Sequence, residues 1–252
     1  MEILRTLPPE HGMLTRVATL LNAEPGEPGS RASSLGGPLL WPADEPWPHC
    51  AQEDHWTYPV GGSLDPIVPG SVPMVPILQL FARDVPEVPF PPDKDLLQLV
   101  WCALNHDEGP HLVVPRLYWR READVEERGL LAEAPVAGGG EYDEYNVPQE
   151  GRCTLSPSTA QDFPSRHDLP DGLRDTADTQ ERLSESHLVA TKLGGWPCWT
   201  QPGDWPECPA GHRMEHLLTV TGDIQLGDCG GIYFFLCRQC PDHPWDARSD
   251  CH

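Results

Sequence analysis

Positive charge is scarce in this 252-residue sequence: 17 Lys and Arg stand against 39 Asp and Glu, a formal net charge of −22. A field of that sign repels phosphate backbones, so direct nucleic-acid binding is not expected, and any docking partner is expected to be a protein or peptide of basic character. Long apolar runs are lacking as well. No stretch approaches the ~20 consecutive apolar residues of a membrane helix, so no membrane association is expected. The start, Met1-Glu2-Ile3-Leu4-Arg5-Thr6, has no basic segment leading into an apolar stretch and a small-residue cleavage site, and the expected location is the cytoplasm. The common catalytic signatures are missing too: no Gly-x-Ser-x-Gly elbow, no phosphate-cradling Gly-x-x-x-x-Gly-Lys loop and no dinucleotide Gly-x-Gly-x-x-Gly motif. Gly138-Gly139-Gly140 lacks the strand and helix that would make it a phosphate loop, and no catalytic residue is assigned.

What is abundant is punctuation. Thirty prolines and 23 glycines nearly exclude long helices. One amphipathic helix is predicted over about 9–22, with Met13, Leu14, Val17, Leu20 and Leu21 on one face, and a short charged one over 122–128. Strands are predicted over Val75–Ala82, Leu96–Cys102, Leu112–Arg120, Met214–Thr221 and Ile232–Cys237, each apolar, β-branched or aromatic and mostly bounded by Pro, Gly or Asp. The expected fold is α+β, mainly antiparallel sheet with few helices.

The chain also repeats itself. Leu35-Gly36-Gly37, nine residues, then Trp47-Pro48-His49-Cys50 recurs as Leu193-Gly194-Gly195, nine residues, then Trp205-Pro206-Glu207-Cys208. A Ser or Thr stands two positions before each Leu, and a strand-like run ending in Cys102 or Cys237 follows each copy. Such a recurrence implies an internal duplication with two pseudo-symmetric halves. The expected division is 1–130, an acidic loop-rich connector over 131–187, and 188–252. The polar stretch from 133 to 186 is expected to pack loosely, and 51–71 reads as a shorter insertion.

Nine cysteines are an odd number in a chain too long to need a disulfide framework, and cytosolic thiols are kept reduced. Clustered cysteines are therefore read as metal ligands. Cys208-Pro209-Ala210-Gly211-His212 precedes a strand, and Cys237-Arg238-Gln239-Cys240 follows its hairpin partner, so the two ends meet. Zinc takes four soft or borderline ligands in a tetrahedron, and Cys208, Cys237 and Cys240 supply three. The fourth is His212, with His216 in reserve. A redox role for Cys237 and Cys240 would need a following helix to lower the thiol pKa, and Pro241 and Pro244 leave little room for one. A closed site of this kind stabilises the fold and need not be catalytic. Cys50, Cys102 and His106 form a fainter echo, completed by His49 or His55 if it binds metal, or else serving as packing. Cys153, Cys198, Cys229 and Cys251 show no ligand spacing.

Two further readings remain open. His212-Arg213-Met214-Glu215-His216 fits the His-x-x-Glu-His signature of inverted zinc peptidases, and a zinc-dependent hydrolase using His212, Glu215 and His216 is the alternative function. A strand there would put Glu215 on the face opposite both histidines. Trp41, Trp47, Trp199 and Trp205, with Trp196, cluster in the repeated phrases, where they either lid the sheet ends or line a ligand groove.

The phrases Ser34-Leu35-Gly36-Gly37-Pro38, Trp47-Pro48, Ile77-Leu78-Gln79-Leu80, Thr191-Lys192-Leu193-Gly194-Gly195, Met214 to Thr219 and Gly227-Asp228-x-Gly230 resemble the YwqG-like family of bacterial proteins. The resemblance spans about 30–245. It implies an α+β fold with two similar halves and carries no established activity or catalytic residue. Cysteine-containing relatives have Cys-Pro-x-Cys-Gly where this chain has Cys208-Pro209-Ala210-Gly211, which leaves the fourth ligand to His212. Some related genes lie among toxin and immunity systems, which fits a binding or interaction module.

Overall fold

A computed structural model describes residues 14–51, 55–56, 66–67, 71–106, 113–135, 146–169, 172, 188–222, 224 and 230–250. They are mainly antiparallel β-sheet with little helix. The chain divides into two compact units. One comprises residues up to Leu21, Pro157–Gly222 and Gly227 onwards; the other comprises Asn22–Ser156 with Asp223–Leu226.

The second unit is built on a six-stranded sheet that runs from the edge strand β11 (Val114–Arg120) through β9 (Leu96–Cys102) and β8 (Val75–Phe81) to β3 (Ser34–Leu35). β12 (Cys153–Leu155) and β2 (Ala23–Pro25) extend it beyond β3. All seven residues of β9 are buried, so it carries a nearly continuous apolar run instead of an alternation. Pro76 sits inside β8 without an N–H to donate. A register shift between Pro76 and Leu78 absorbs it, as a bulge does elsewhere in sheets. The helix α1 (Glu122–Glu127) covers one face through Val125, against Leu40, Phe81 and Leu96. Smaller pairings complete this unit: β4 (His49–Cys50) with β7 (Val72–Pro73), and β5 (His55–Trp56) with β6 (Pro66–Ile67) and β10 (Asn105–His106).

Polar side chains inside this core fasten the Gly-Gly phrase to the sheet. The Leu40 N–H donates to Gln79 Oε1 at 2.7 Å, and Gln98 Nε2 donates to the same oxygen and to the Leu40 carbonyl, both at 2.8 Å. Both glutamines are fully buried, so these bonds hold groups whose desolvation would otherwise be costly.

In the other unit the six strands run β13 (Ser158–Asp162), β1 (Arg16–Leu20), β14 (Lys192–Gly194), β15 (Glu215–Val220), β16 (Gly231–Leu236) and β17 (Trp245–Asp250). Two sequence expectations need correction. Arg16–Leu20, expected as helix, is a strand, with Ala18 and Thr19 buried and Val17 61% exposed. Its backbone pairs with β13 on one side and β14 on the other, and those non-local hydrogen bonds outweigh a local helical pattern. Residues 9–13 lie outside the described residues. The stretch expected to pack loosely supplies β12 and β13, both paired along their length; residues 136–145 and 173–187 of it lie outside the described residues. Most of the insertion over 51–71, and Cys229 and Cys251, lie outside them as well.

Lys192 and Asp162 are the charged heart of this unit. Both side chains are 0% exposed, with Lys192 Nζ 2.7 Å from Asp162 Oδ2. The same carboxylate accepts the Trp196 N–H at 2.8 Å and the Leu188 N–H at 3.2 Å, so the pair anchors the segment on both sides of the Gly194-Gly195 turn. Gly195 has φ +66°, and a Cβ there would strike the Asp162 carboxylate and Ala18. Removing one partner of a buried pair leaves an uncompensated charge. Lys192→Met is therefore expected to cost about 3–5 kcal/mol of stability in a denaturant titration; a cost below about 1 kcal/mol would show that the pair does not anchor the fold.

Candidate metal centre

The β15–β16 hairpin brings its two ends together by register alone. β15 and β16 pair antiparallel with Glu215 opposite Leu236, so the segment entering β15 and the segment leaving β16 emerge at the same end. The entering segment is a tight turn. The Gly211 N–H donates to the Cys208 carbonyl at 2.8 Å and the Cys208 N–H to the His212 carbonyl at 2.9 Å, and Gly211 takes φ +78°, a conformation that suits glycine. The leaving segment is tied to β17: the Cys237 N–H donates to the Pro244 carbonyl at 2.9 Å and the His243 N–H to the Cys240 carbonyl at 3.1 Å.

Between the two turns, Cys208, His212, Cys237 and Cys240 present one ligand atom each, all within 4.8 Å of one another. His212 Nδ1 lies 3.5 Å from Cys208 Sγ, 3.7 Å from Cys237 Sγ and 3.4 Å from Cys240 Sγ, and the Cys208 and Cys240 sulfurs are 3.8 Å apart. Zinc–sulfur bonds of about 2.3 Å and zinc–nitrogen bonds of about 2.0 Å, set tetrahedrally, give edges of about 3.8 Å between sulfurs and about 3.5 Å between sulfur and nitrogen. The four spacings above match such edges, and the remaining ones lie within 4.8 Å. The His212 N–H, 3.4 Å from Cys208 Sγ, is placed to donate to that sulfur. Cys208 and Cys237 are buried, packed with Trp199, Met214, Tyr233 and Phe235, while His212 and Cys240 are partly exposed.

Burial pushes Cys208 up, but hydrogen bonds from the His212 and Ala210 backbone and from the Cys237 and Cys240 thiols outweigh it and hold Cys208 at about 7. Cys240 is pushed up to about 12, by burial first and then by the neighbouring sulfurs of Cys237 and Cys208. Protein groups alone thus favour the thiolate at Cys208 over one at Cys240. A divalent cation is the group that would let all three deprotonate together.

The peptidase-like signature does not assemble. Glu215 faces outward and pairs with Arg238 at 3.3 Å, with more than half of its side chain exposed. His216 is buried, its Nε2 2.9 Å from Thr219 Oγ1. Strand geometry parts Glu215 from its neighbour His216, and His212 alone of the two histidines joins the cysteines. Nor do the tryptophans form an open wall. Trp41 and Trp47 are buried in one unit, their ring centroids 4.9 Å apart, and Trp199 is buried in the other against Tyr233 at 4.3 Å. These three are core side chains, because their ring surface is already covered. Trp205 is partly exposed, with Arg213 stacked 4.5 Å from its centroid and its Nε1–H donated to Asp168 at 2.6 Å.

In the other unit Cys50, Cys102 and His106, all buried, also bring their ligand atoms within 4.8 Å of one another. The Cys102 thiol is pushed up by its hydrogen bond with Cys50 and by burial. His49 does not join them: it is exposed and its Nδ1 lies 2.8 Å from the Trp47 carbonyl. No described cysteine, Cys153 and Cys198 included, is joined in a disulfide. The buried pair of Lys192 and Asp162 went unread in the sequence, although Lys192 stands inside the repeated Gly-Gly phrase and a lysine two residues before a buried glycine turn is a signal for it.

Fold and site together define a mainly β protein with Cys/His groups suited to a metal ion. The chain belongs to the family described as a domain of unknown function, DUF1963, which matches it over residues 33–239. No curated protein matches the chain. No helix among the described residues is long and apolar enough to cross a membrane.

His216 generates a pH prediction. Burial, and next the charge of Lys192, push its imidazole down to about 3 from the ordinary 6.5. Below pH 6.5 the unfolded chain takes up a proton that the folded chain refuses, so stability falls with pH from there toward 3. Relative to His216→Gln, the wild type is expected to lose about 3 kcal/mol between neutral pH and pH 4, each protein being its own neutral reference. Parallel stability curves for the two proteins would contradict a neutral buried imidazole.

Proposed function

We propose that the protein is a non-enzymatic binding module of the YwqG-like kind, with a structural zinc ion tying the ends of its β15–β16 hairpin through Cys208, His212, Cys237 and Cys240. The observation that carries this reading is the closed donor set, with spacings that match tetrahedral zinc and no fourth position left for water or substrate. Thiolate-rich ligation selects zinc over the harder magnesium and calcium, which prefer oxygen. Described cysteines without disulfides fit the reducing cytoplasm. The net charge of −22 suits a basic protein or peptide partner, encountered through long-range attraction, and disfavours nucleic acid. We read residues 1–130 and 188–252 as descendants of one duplicated half, joined through the 131–187 stretch.

In the purified full chain, Cys237→Ser is expected to lose the hairpin zinc and the cooperative melt of the unit that carries it, whereas Glu215→Gln keeps both. Loss of zinc with an unchanged melt would contradict a structural role. Zinc-dependent turnover of a peptide or ester panel that disappears in Glu215→Gln would replace this reading with the hydrolase.

A further inference from the structure

The two repeated phrases lead into sheets with one register. In one unit Leu35 lies opposite Leu78, and Leu78 opposite Leu99. In the other, Leu193 lies opposite Leu218, and Leu218 opposite Phe234. Even the irregularities agree: β8 shifts register between Pro76 and Leu78 against β9, and β15 between His216 and Leu218 against β16. Three residues beyond Leu99 stands Cys102, and three beyond Phe234 stands Cys237. Counting from the Gly-Gly phrases, Cys50 corresponds to Cys208. The two metal-capable groups therefore occupy the same place in two sheets, reached by two independent counts.

We propose that Cys50, Cys102 and His106 hold a second thiophilic divalent cation, zinc by the chemistry of its donors. Two thiolates and a neutral imidazole around a divalent ion form an assembly with no net charge, which is the form that an apolar interior tolerates. The interior here is apolar: Leu39, Trp41, Trp47, Met74 and Val100 are buried in the same cluster as both cysteines. On binding, the two thiols release their protons to solvent and the sulfurs bond the metal; nothing is oxidised or reduced. The described residues supply three donors here, one fewer than at the hairpin site. The site stands on its own ligands and is independent of the hairpin centre.

Metal analysis of the full chain, purified under reducing conditions, tests the assignment. The wild type is expected to carry about two zinc ions per chain, falling to about one in Cys102→Ser and to about one in Cys237→Ser, with a different ion lost each time. Because Cys102→Ser disturbs a packed core, the unmodified chain reconstituted with cadmium-113 provides the second measurement. Two resonances are expected, one from a two-sulfur and one from a three-sulfur environment. A wild type that binds a single ion and shows a single three-sulfur resonance overturns the second site while leaving the hairpin centre in place. A single two-sulfur resonance does the reverse.

Discussion

Everything about the hairpin centre follows from the antiparallel pairing of β15 with β16. That register fixes which residues leave the sheet side by side, and it delivers two tight turns, Cys208–His212 and Cys237–Cys240, to one point. Each turn is held by its own backbone hydrogen bonds, so the donors are largely oriented before a metal arrives. Preorganisation of this kind lowers the conformational entropy that binding must overcome. The buried side of the cluster, with Trp199, Tyr233 and Phe235, continues the core of its unit, so a metal there would tie loop to sheet.

The two groups differ in the number of their ligands and in their depth. The hairpin group gains a ligand from each turn, His212 after Cys208 and Cys240 after Cys237, and sits where solvent reaches part of it. The other group is deeper, has two cysteines and His106, and lies among tryptophans and aliphatic side chains. Charge follows burial in both: three thiolates with a divalent ion leave one negative charge at the partly exposed site, and two thiolates leave none at the buried one. An interior that excludes water can hold the second arrangement more readily than the first.

The strands flanking the ligands were legible in the sequence, because an apolar run ending at a cysteine and bounded by turn residues reads the same in isolation as in the sheet. Leu96–Cys102 keeps its predicted bounds, and the choice of His212 over His216 follows from the short loop that holds it beside Cys208. What sequence could not show was non-local. Arg16–Leu20 has apolar spacing compatible with a helix, and only its partners on both sides make it a strand. Ser158–Asp162 has almost no apolar signal, since this edge strand is held through its backbone and the one side chain it buries, Asp162, is held by Lys192. The tryptophans announce an aromatic cluster in the sequence, but whether a ring faces a groove or a core depends on what covers it.

The most direct test of the hairpin centre is the anomalous diffraction of a crystal of the full chain measured on either side of the zinc absorption edge. The account predicts a zinc-specific peak bonded to the Cys208, Cys237 and Cys240 sulfurs and His212 Nδ1. Well-ordered crystals of reduced, zinc-supplied protein with no such peak there, or with two of those sulfurs joined as a disulfide, would contradict it.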